Sequence, residues 1–111
     1  MRRDPRAYLW DALTAADAIV AFTQGKTSAD YAEDLLLRSG VERQLGLMGE
    51  ALNQLVRYDS ETAEHVPDHR QIIAFRNILG YEVLDDQRVW DVLQHDLPAL
   101  RGALARLLNE A

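Results

Sequence analysis

Apolar residues recur every three or four positions through most of this sequence, and this spacing restricts the chain to helices. In one long stretch the recurring residues are Val41, Leu45, Met48, Leu52 and Leu55. Spacings of three and four place side chains on one face of a helix, whereas a half-buried strand requires strict alternation. No stretch alternates in that way. The pattern therefore predicts an all-α fold, an up-and-down bundle of four to five helices that bury their apolar faces together.

Capping and helix-breaking residues predict the ends of the first two helices. Asp4 is a good N-cap and Pro5 suits the first helical position, so the first helix should begin there and end at Gly25. A second, shorter helix is expected to begin at Thr27. It should carry three consecutive leucines and stop near Gly40.

The third helix is expected over residues 41–58, with an apolar face and a polar face. Gly46 and Gly49 lie in its interior, where each glycine costs about 1 kcal/mol relative to alanine. Their presence predicts that another backbone, from a neighbouring helix or a second subunit, approaches closely. Arg43 and Glu50 lie on the polar face, where Glu50 either supports a functional site or forms part of a solvated salt-bridging surface.

The fourth helix is expected over residues 68–79, and the last helix should begin at Asp85 or Asp86. A regular leucine pattern continues from there to the C-terminus, but Pro98 lies inside it. Because proline removes a helix hydrogen bond and clashes with the preceding turn, the last helix must kink or restart near Leu97.

Composition limits the class of protein. The 111 residues are enough for one core, so a single domain over residues 1–111 is expected. There is no cysteine, no apolar run long enough to cross a membrane and no signal sequence, which together predict a cytoplasmic protein. The 12 basic and 18 acidic residues give a net charge of −6, so nucleic-acid binding would require a local basic site.

The candidate functional residues lie at the end of the fourth helix, where Arg76 and Asn77 are followed by Gly80 and Tyr81. A guanidinium is a planar, permanently charged fork that suits phosphate oxygens, and an amide and a phenol nearby can assist it. From the residues alone, Arg76 could instead interact with the last carbonyls of its helix. Asn77 could close the helix, and Tyr81 could pack as an ordinary aromatic residue.

Several segments of this chain resemble segments of the HepT-type toxins of the HEPN superfamily. They occur in the same order, and the resemblance extends over nearly the whole chain. The motif of that family is Arg-Asn, a few residues, then His, one residue and Tyr. The matching segments are Arg3-Asp4-Pro5 with Tyr8-Leu9 and Asp11; Arg43 with Gly49-Glu50-Ala51-Leu52; Phe75-Arg76-Asn77 with Gly80-Tyr81, Val83, Asp85-Asp86 and Val89-Trp90; and Leu97-Pro98-Ala99-Leu100.

This resemblance implies a HEPN-type bundle that cleaves RNA without a metal or another cofactor, as the toxin of a type VII-like toxin–antitoxin system. Two copies would form a homodimer whose motif segments face each other across an RNA-binding cleft. Arg76 and Asn77 would be catalytic. An MntA-like minimal nucleotidyltransferase, the antitoxin, would silence the toxin by attaching AMP to the motif tyrosine, here Tyr81.

The motif histidine is missing from this chain. In the family the tyrosine lies seven residues after the arginine, and the histidine lies two residues before the tyrosine. Here Tyr81 lies only five residues after Arg76, as if two residues were lost between Leu79 and Gly80. Imidazole transfers protons near neutral pH, which a tyrosine of ordinary pKa does poorly. The sequence therefore predicts an inactive variant. The alternative is a non-catalytic helical protein that dimerises and binds a nucleotidyltransferase.

The remaining histidines and tryptophans have simpler interpretations. His65 and His69 are spaced like a metal-binding pair, but the proline between them argues against one continuous helix, and a third ligand is missing. His95 is expected to be exposed to solvent. Trp10 and Trp90 are expected to pack in the core or at a subunit interface.

Overall fold

The protein is described from a computed structural model that covers residues 4–78 and 85–110. These residues form helices and no strand, which confirms the predicted all-α class. Five of the helices have ten residues or more, and two are short. The helices are α1 (Pro5–Thr23), α2 (Ser28–Glu33), α3 (Leu35–Tyr58), α4 (Ser60–Ala63), α5 (His69–Ile78), α6 (Asp86–His95) and α7 (Leu97–Glu110).

The predicted limits of the first helix are confirmed. Asp4 caps α1, and its side chain accepts a hydrogen bond from the backbone N–H of Arg6 at 2.9 Å. Pro5 occupies the first turn, where its missing N–H leaves no bond unmade. After α1 ends at Thr23, Gly25 adopts a φ of +74°, a left-handed conformation that glycine accepts readily.

The predicted boundary between the second and third helices was wrong. The chain breaks at Asp34, so α2 ends at Glu33 and the three leucines belong to α3 rather than to the second helix. Asp34 caps α3, because its carboxylate accepts the backbone N–H of Leu37 at 3.1 Å. Gly40 does not stop the helix; it lies inside α3, where a Cβ would come within 3.3 Å of the Phe22 ring.

Helix α3 is the centre of the bundle, and it packs against α1, α2, α4 and α5. The apolar face predicted for it is confirmed, since all five residues of that face are buried. Helix α7 covers another side of α1 and also contacts α6. On α1, Ala15 and Ile19 are buried, whereas Val20 is 42% exposed.

The two tryptophans have different environments. Trp90 is buried, and its ring centroid lies 5.7 Å from that of Tyr31, so α6 and α2 share an aromatic contact. Trp10 is 62% exposed. Of the two environments expected for Trp10, the core is therefore excluded, because Trp10 lies beside the buried face of α1 rather than on it, and the subunit interface stays a prediction.

The last predicted helix is divided into two helices where the sequence predicts a kink or restart. Helix α6 ends at His95, and α7 begins at Leu97 with Pro98 in its first turn. Asp85 caps α6 through a hydrogen bond from the backbone N–H of Gln87 at 2.9 Å. No helix among residues 4–78 and 85–110 is long and apolar enough to cross a membrane.

Replacing the unexpected cap at Asp34 tests this helix assignment. Asp34→Ala should lower the stability by about 1 kcal/mol, because the N–H of Leu37 loses its acceptor. For a domain of this size the midpoint of thermal unfolding, followed by circular dichroism, should fall by about 4 °C. Glu33→Ala, one residue earlier and also exposed, is the matched control. Equal midpoints for the two variants would contradict a helix start at Asp34.

Candidate functional site

Arg76 and Asn77 lie in the last turn of α5, as the sequence predicts for the motif. The Arg76 side chain is 31% exposed, so it is partly held by the protein and partly open to a ligand. Asn77 is exposed. Tyr81, the predicted site of modification, lies outside the described residues, and so do Leu79 and Gly80 at the point of the predicted two-residue loss.

Glu50 of α3 forms an ion pair with Arg76, with 3.3 Å between Arg76 Nη2 and Glu50 Oε2. The other carboxylate oxygen of Glu50 accepts a hydrogen bond from Gln54 Nε2 at 3.0 Å. Both oxygens of Glu50 are therefore engaged, which limits the positions that its side chain can take. Glu50 thus contacts a candidate site residue and is also 49% exposed in an ion pair, so both interpretations that the sequence left open for it agree with its position.

Gly49 explains how the two helices come close enough for this ion pair. A Cβ built on Gly49 would lie 2.5 Å from the Cβ of Arg76 and 3.1 Å from the carbonyl oxygen of Ile72. Real side chains do not approach so closely, so α5 can pack here only because residue 49 has no side chain. The close approach predicted for Gly49 is confirmed, and a neighbouring helix rather than a second subunit makes it.

The Arg76 guanidinium keeps donors available after it has paired with Glu50. Its Nε atom is buried and finds no hydrogen-bond partner among the described residues. Arginine carries five N–H donors in a rigid fork, and the ion pair uses the Nη2 end. A buried donor without a partner costs about 1–3 kcal/mol. The Arg76 side chain as a whole is 31% exposed, so an oxyanion can approach the open part of its guanidinium.

Arg88 adds a second positive charge against α5. Its guanidinium carbon lies 5.8 Å from the centroid of the Phe75 ring, within the range of a cation–π contact. Phe75 is buried and precedes Arg76 in the sequence, whereas Arg88 itself is exposed. Arg88 is thus a second basic side chain in contact with α5, through the residue that precedes Arg76.

The histidines do not supply a proton-transfer group within the described part of the motif. His69 is buried at the start of α5, two turns before Arg76, and its Nδ1 lies 2.9 Å from the carbonyl oxygen of Val66. His65 is exposed in the turn that precedes α5, so His65 and His69 do not share a helix. His95 is exposed at the end of α6, as expected. Within residues 4–78 and 85–110, no group of three or more potential ligands is placed to hold a metal ion.

Comparison with known proteins identifies the family to which this site belongs. The protein-family model described as "Ribonuclease HepT-like" matches residues 12–107, which include α3, α5 and both members of the Arg76–Glu50 pair. The chain belongs to the HepT-like ribonuclease family. The family predicted from the sequence is thereby confirmed.

Several curated proteins are similar to this HepT-like chain. A protein of Methanocaldococcus jannaschii named "Gamma-glutamylcyclotransferase and putative RNase" is 29% identical over 99% of this chain, but the chain spans only 50% of that relative. A second protein of that organism, named "Putative RNase", is 28% identical over 90% of this chain and 93% of its own length. A "Probable ribonuclease HepT" of Thermococcus cleftensis is 27% identical over 96% of this chain and 98% of its own length. No solved structure was found to match.

Two glycine substitutions test the packing that brings Arg76 to Glu50. Gly49→Ala should destabilise the protein by about 1–3 kcal/mol, because the new methyl group collides with Arg76 and the α5 backbone. Gly102→Ala is the matched control. Gly102 also lies inside a helix, but its Cβ would meet no atom within 4 Å, so alanine there should stabilise by about 0.5–1 kcal/mol. Urea unfolding of both variants gives the change in the free energy of unfolding. A Gly49→Ala variant as stable as the original protein would contradict the close contact.

Proposed function

We propose that this HepT-like chain binds single-stranded RNA through Arg76 and that its fold is built to cleave RNA at that position. The observation that carries the proposal is the Arg76 guanidinium, which is oriented by Glu50 and retains a buried Nε donor with no partner among the described residues. A phosphodiester oxygen is an acceptor that such a fork binds well. Asn77, exposed in the same turn, provides an amide for the same phosphate or for a ribose hydroxyl.

The active unit in this proposal is a homodimer. A protein with a net charge of −6 repels nucleic acid at long range, and one Arg76, partly offset by Glu50, gives only a small positive field. Two copies related by twofold symmetry, with their α5 ends facing each other, double that field within one cleft. The same arrangement places two arginines on opposite sides of a bound strand.

The missing histidine separates RNA binding from RNA cleavage in this chain. Phosphate binding requires the arginine, whereas cleavage also requires a group that moves a proton from the ribose 2′-hydroxyl. Because the sequence between Arg76 and Tyr81 lacks a histidine, this chain should bind RNA and cleave it poorly. The same absence favours the second candidate function, a non-catalytic dimer that serves as the partner of a nucleotidyltransferase.

Restoring the motif is the direct test of the ribonuclease function. Inserting Val-His after Leu79 returns the family spacing, and the repaired protein should degrade single-stranded RNA at least about tenfold faster, since a positioned acid–base group contributes about 10²–10⁴-fold. Cleavage of a labelled oligonucleotide in EDTA measures the rate without metal ions.

Arg76→Gln in the repaired protein should remove the gain in cleavage rate. Arg106→Gln is the control and should leave the gain unchanged, because Arg106 forms only an exposed ion pair within α7. If the repaired protein is no more active than the original, the ribonuclease function is wrong for this fold and the partner-binding function is favoured.

We propose that the antitoxin is an MntA-like minimal nucleotidyltransferase that attaches AMP to Tyr81. Attack of the phenol oxygen on the α-phosphorus of ATP would form a phosphodiester bond and release pyrophosphate. Incubation with the partner enzyme, ATP and Mg²⁺ should increase the mass of the protein by one AMP group, and Tyr81→Phe should prevent the increase. An unchanged mass, with the same enzyme active on the Val-His repaired protein, would show that the two-residue loss has disabled the acceptor.

A further inference from the structure

A groove of about 620 Å³ runs between α1 and α3 and ends beside the candidate site. Trp10 of α1 and Leu47 of α3 border it, with 62% and 42% of their surfaces exposed. Glu50 also lines this groove, and the same carboxylate contacts Arg76 on the other side of α3. The groove is therefore adjacent to the proposed phosphate-binding guanidinium, separated from it by one side chain.

The side chains of the groove combine an aromatic surface with hydrogen-bonding groups. The exposed indole of Trp10 is the largest apolar surface there, and every nucleobase can stack on such a ring. Gln44 and Gln54 contribute two amides, which can bind the edge of a base. The Thr14 hydroxyl donates to the carbonyl oxygen of Trp10 at 2.8 Å, so it can only accept a hydrogen bond from a base. The core of a protein–protein interface is instead poor in charged groups, and two carboxylates line this groove.

The charges also determine which part of an RNA strand can enter. The described lining of the groove holds two carboxylates, those of Asp11 and Glu50, and no basic side chain, so it offers no positive charge to hold a phosphate group. The phosphate is favoured on the far side of Glu50, at Arg76. An RNA strand that crosses α3 at Glu50 can place a phosphate on Arg76 while a neighbouring base lies in the groove.

We infer that the groove between α1 and α3 is a nucleobase subsite, in which one base of single-stranded RNA stacks on Trp10 next to the phosphate held by Arg76. This inference rests on the proposed function, because it assumes that Arg76 binds RNA. Gln54 connects the two positions: it lines the groove and donates a hydrogen bond to Glu50, whose second oxygen pairs with Arg76. A base in the groove therefore contacts the same hydrogen-bonded group that orients the arginine.

Oligonucleotides that lack a single base test the subsite separately from the phosphate site. The complete ligand is a labelled 2′-O-methyl RNA of about eight nucleotides, which has no free 2′-hydroxyl to react. It is compared with a set of the same oligonucleotides in which each position in turn lacks its base. Fluorescence anisotropy gives the affinity of the unmodified protein, of Trp10→Ala and of Arg76→Gln. Because Trp10 is exposed, its replacement leaves the core intact, and Trp10→Phe serves as the conservative control.

Stacking on one aromatic side chain contributes about 1–3 kcal/mol per base, so Trp10→Ala should bind the complete oligonucleotide about tenfold more weakly. At one position in the set, removal of the base should weaken binding to the unmodified protein to the same extent. The affinity of Trp10→Ala for that abasic oligonucleotide should equal its affinity for the complete one. Trp10→Phe should retain most of the affinity. Arg76→Gln should weaken binding of complete and abasic oligonucleotides by similar factors.

Three results would overturn the subsite. If Arg76→Gln weakens binding but Trp10→Ala does not, Arg76 binds RNA as proposed and the groove does not hold a base. If Trp10→Ala changes the molar mass measured by light scattering, and the tryptophan emission is insensitive to RNA, a second copy of the chain covers the groove. If the protein binds none of the oligonucleotides, the proposed function fails together with the subsite.

Discussion

The contact of α5 with α3 at Gly49 is the constraint on which the candidate site depends. Without a side chain at residue 49, the Cβ and Cγ atoms of Arg76 rest directly on the α3 backbone. The guanidinium then reaches Glu50, one residue further along α3, and the buried face of α3 holds the helix in place beneath both residues. A backbone position, an ion pair and the hydrophobic core thus act together to orient one positive charge.

The Glu50 carboxylate has two opposing effects on that charge. It orients Arg76, but it also neutralises part of the positive field that would attract RNA to an acidic protein. The ion pair is only partly buried, with Glu50 49% exposed, so water screens much of its strength. An incoming phosphate can therefore share the guanidinium without first breaking a strong interaction.

The periodic apolar pattern was enough to predict the helical fold, the buried face of α3 and the break before α7, because helix packing leaves a regular trace in the sequence. The boundary at Asp34 was missed because a run of leucines continues the pattern across the cap. The motif placed Arg76 correctly on α5, but the sequence alone did not pair it with Glu50, 26 positions earlier. Contacts between helices depend on register and crossing geometry, which spacing within one helix does not encode.

The Arg76 guanidinium is expected to bind a phosphate of RNA directly. Nuclear magnetic resonance of the arginine side chains, labelled with ¹⁵N, observes this group directly, and Arg76→Lys identifies its signal. On titration with the 2′-O-methyl oligonucleotide, phosphate binding should give a saturable shift of the Arg76 Nε–H signal and slower exchange of its proton with water. An unchanged Arg76 signal, while other arginine signals shift with the same binding curve, would contradict phosphate binding by Arg76.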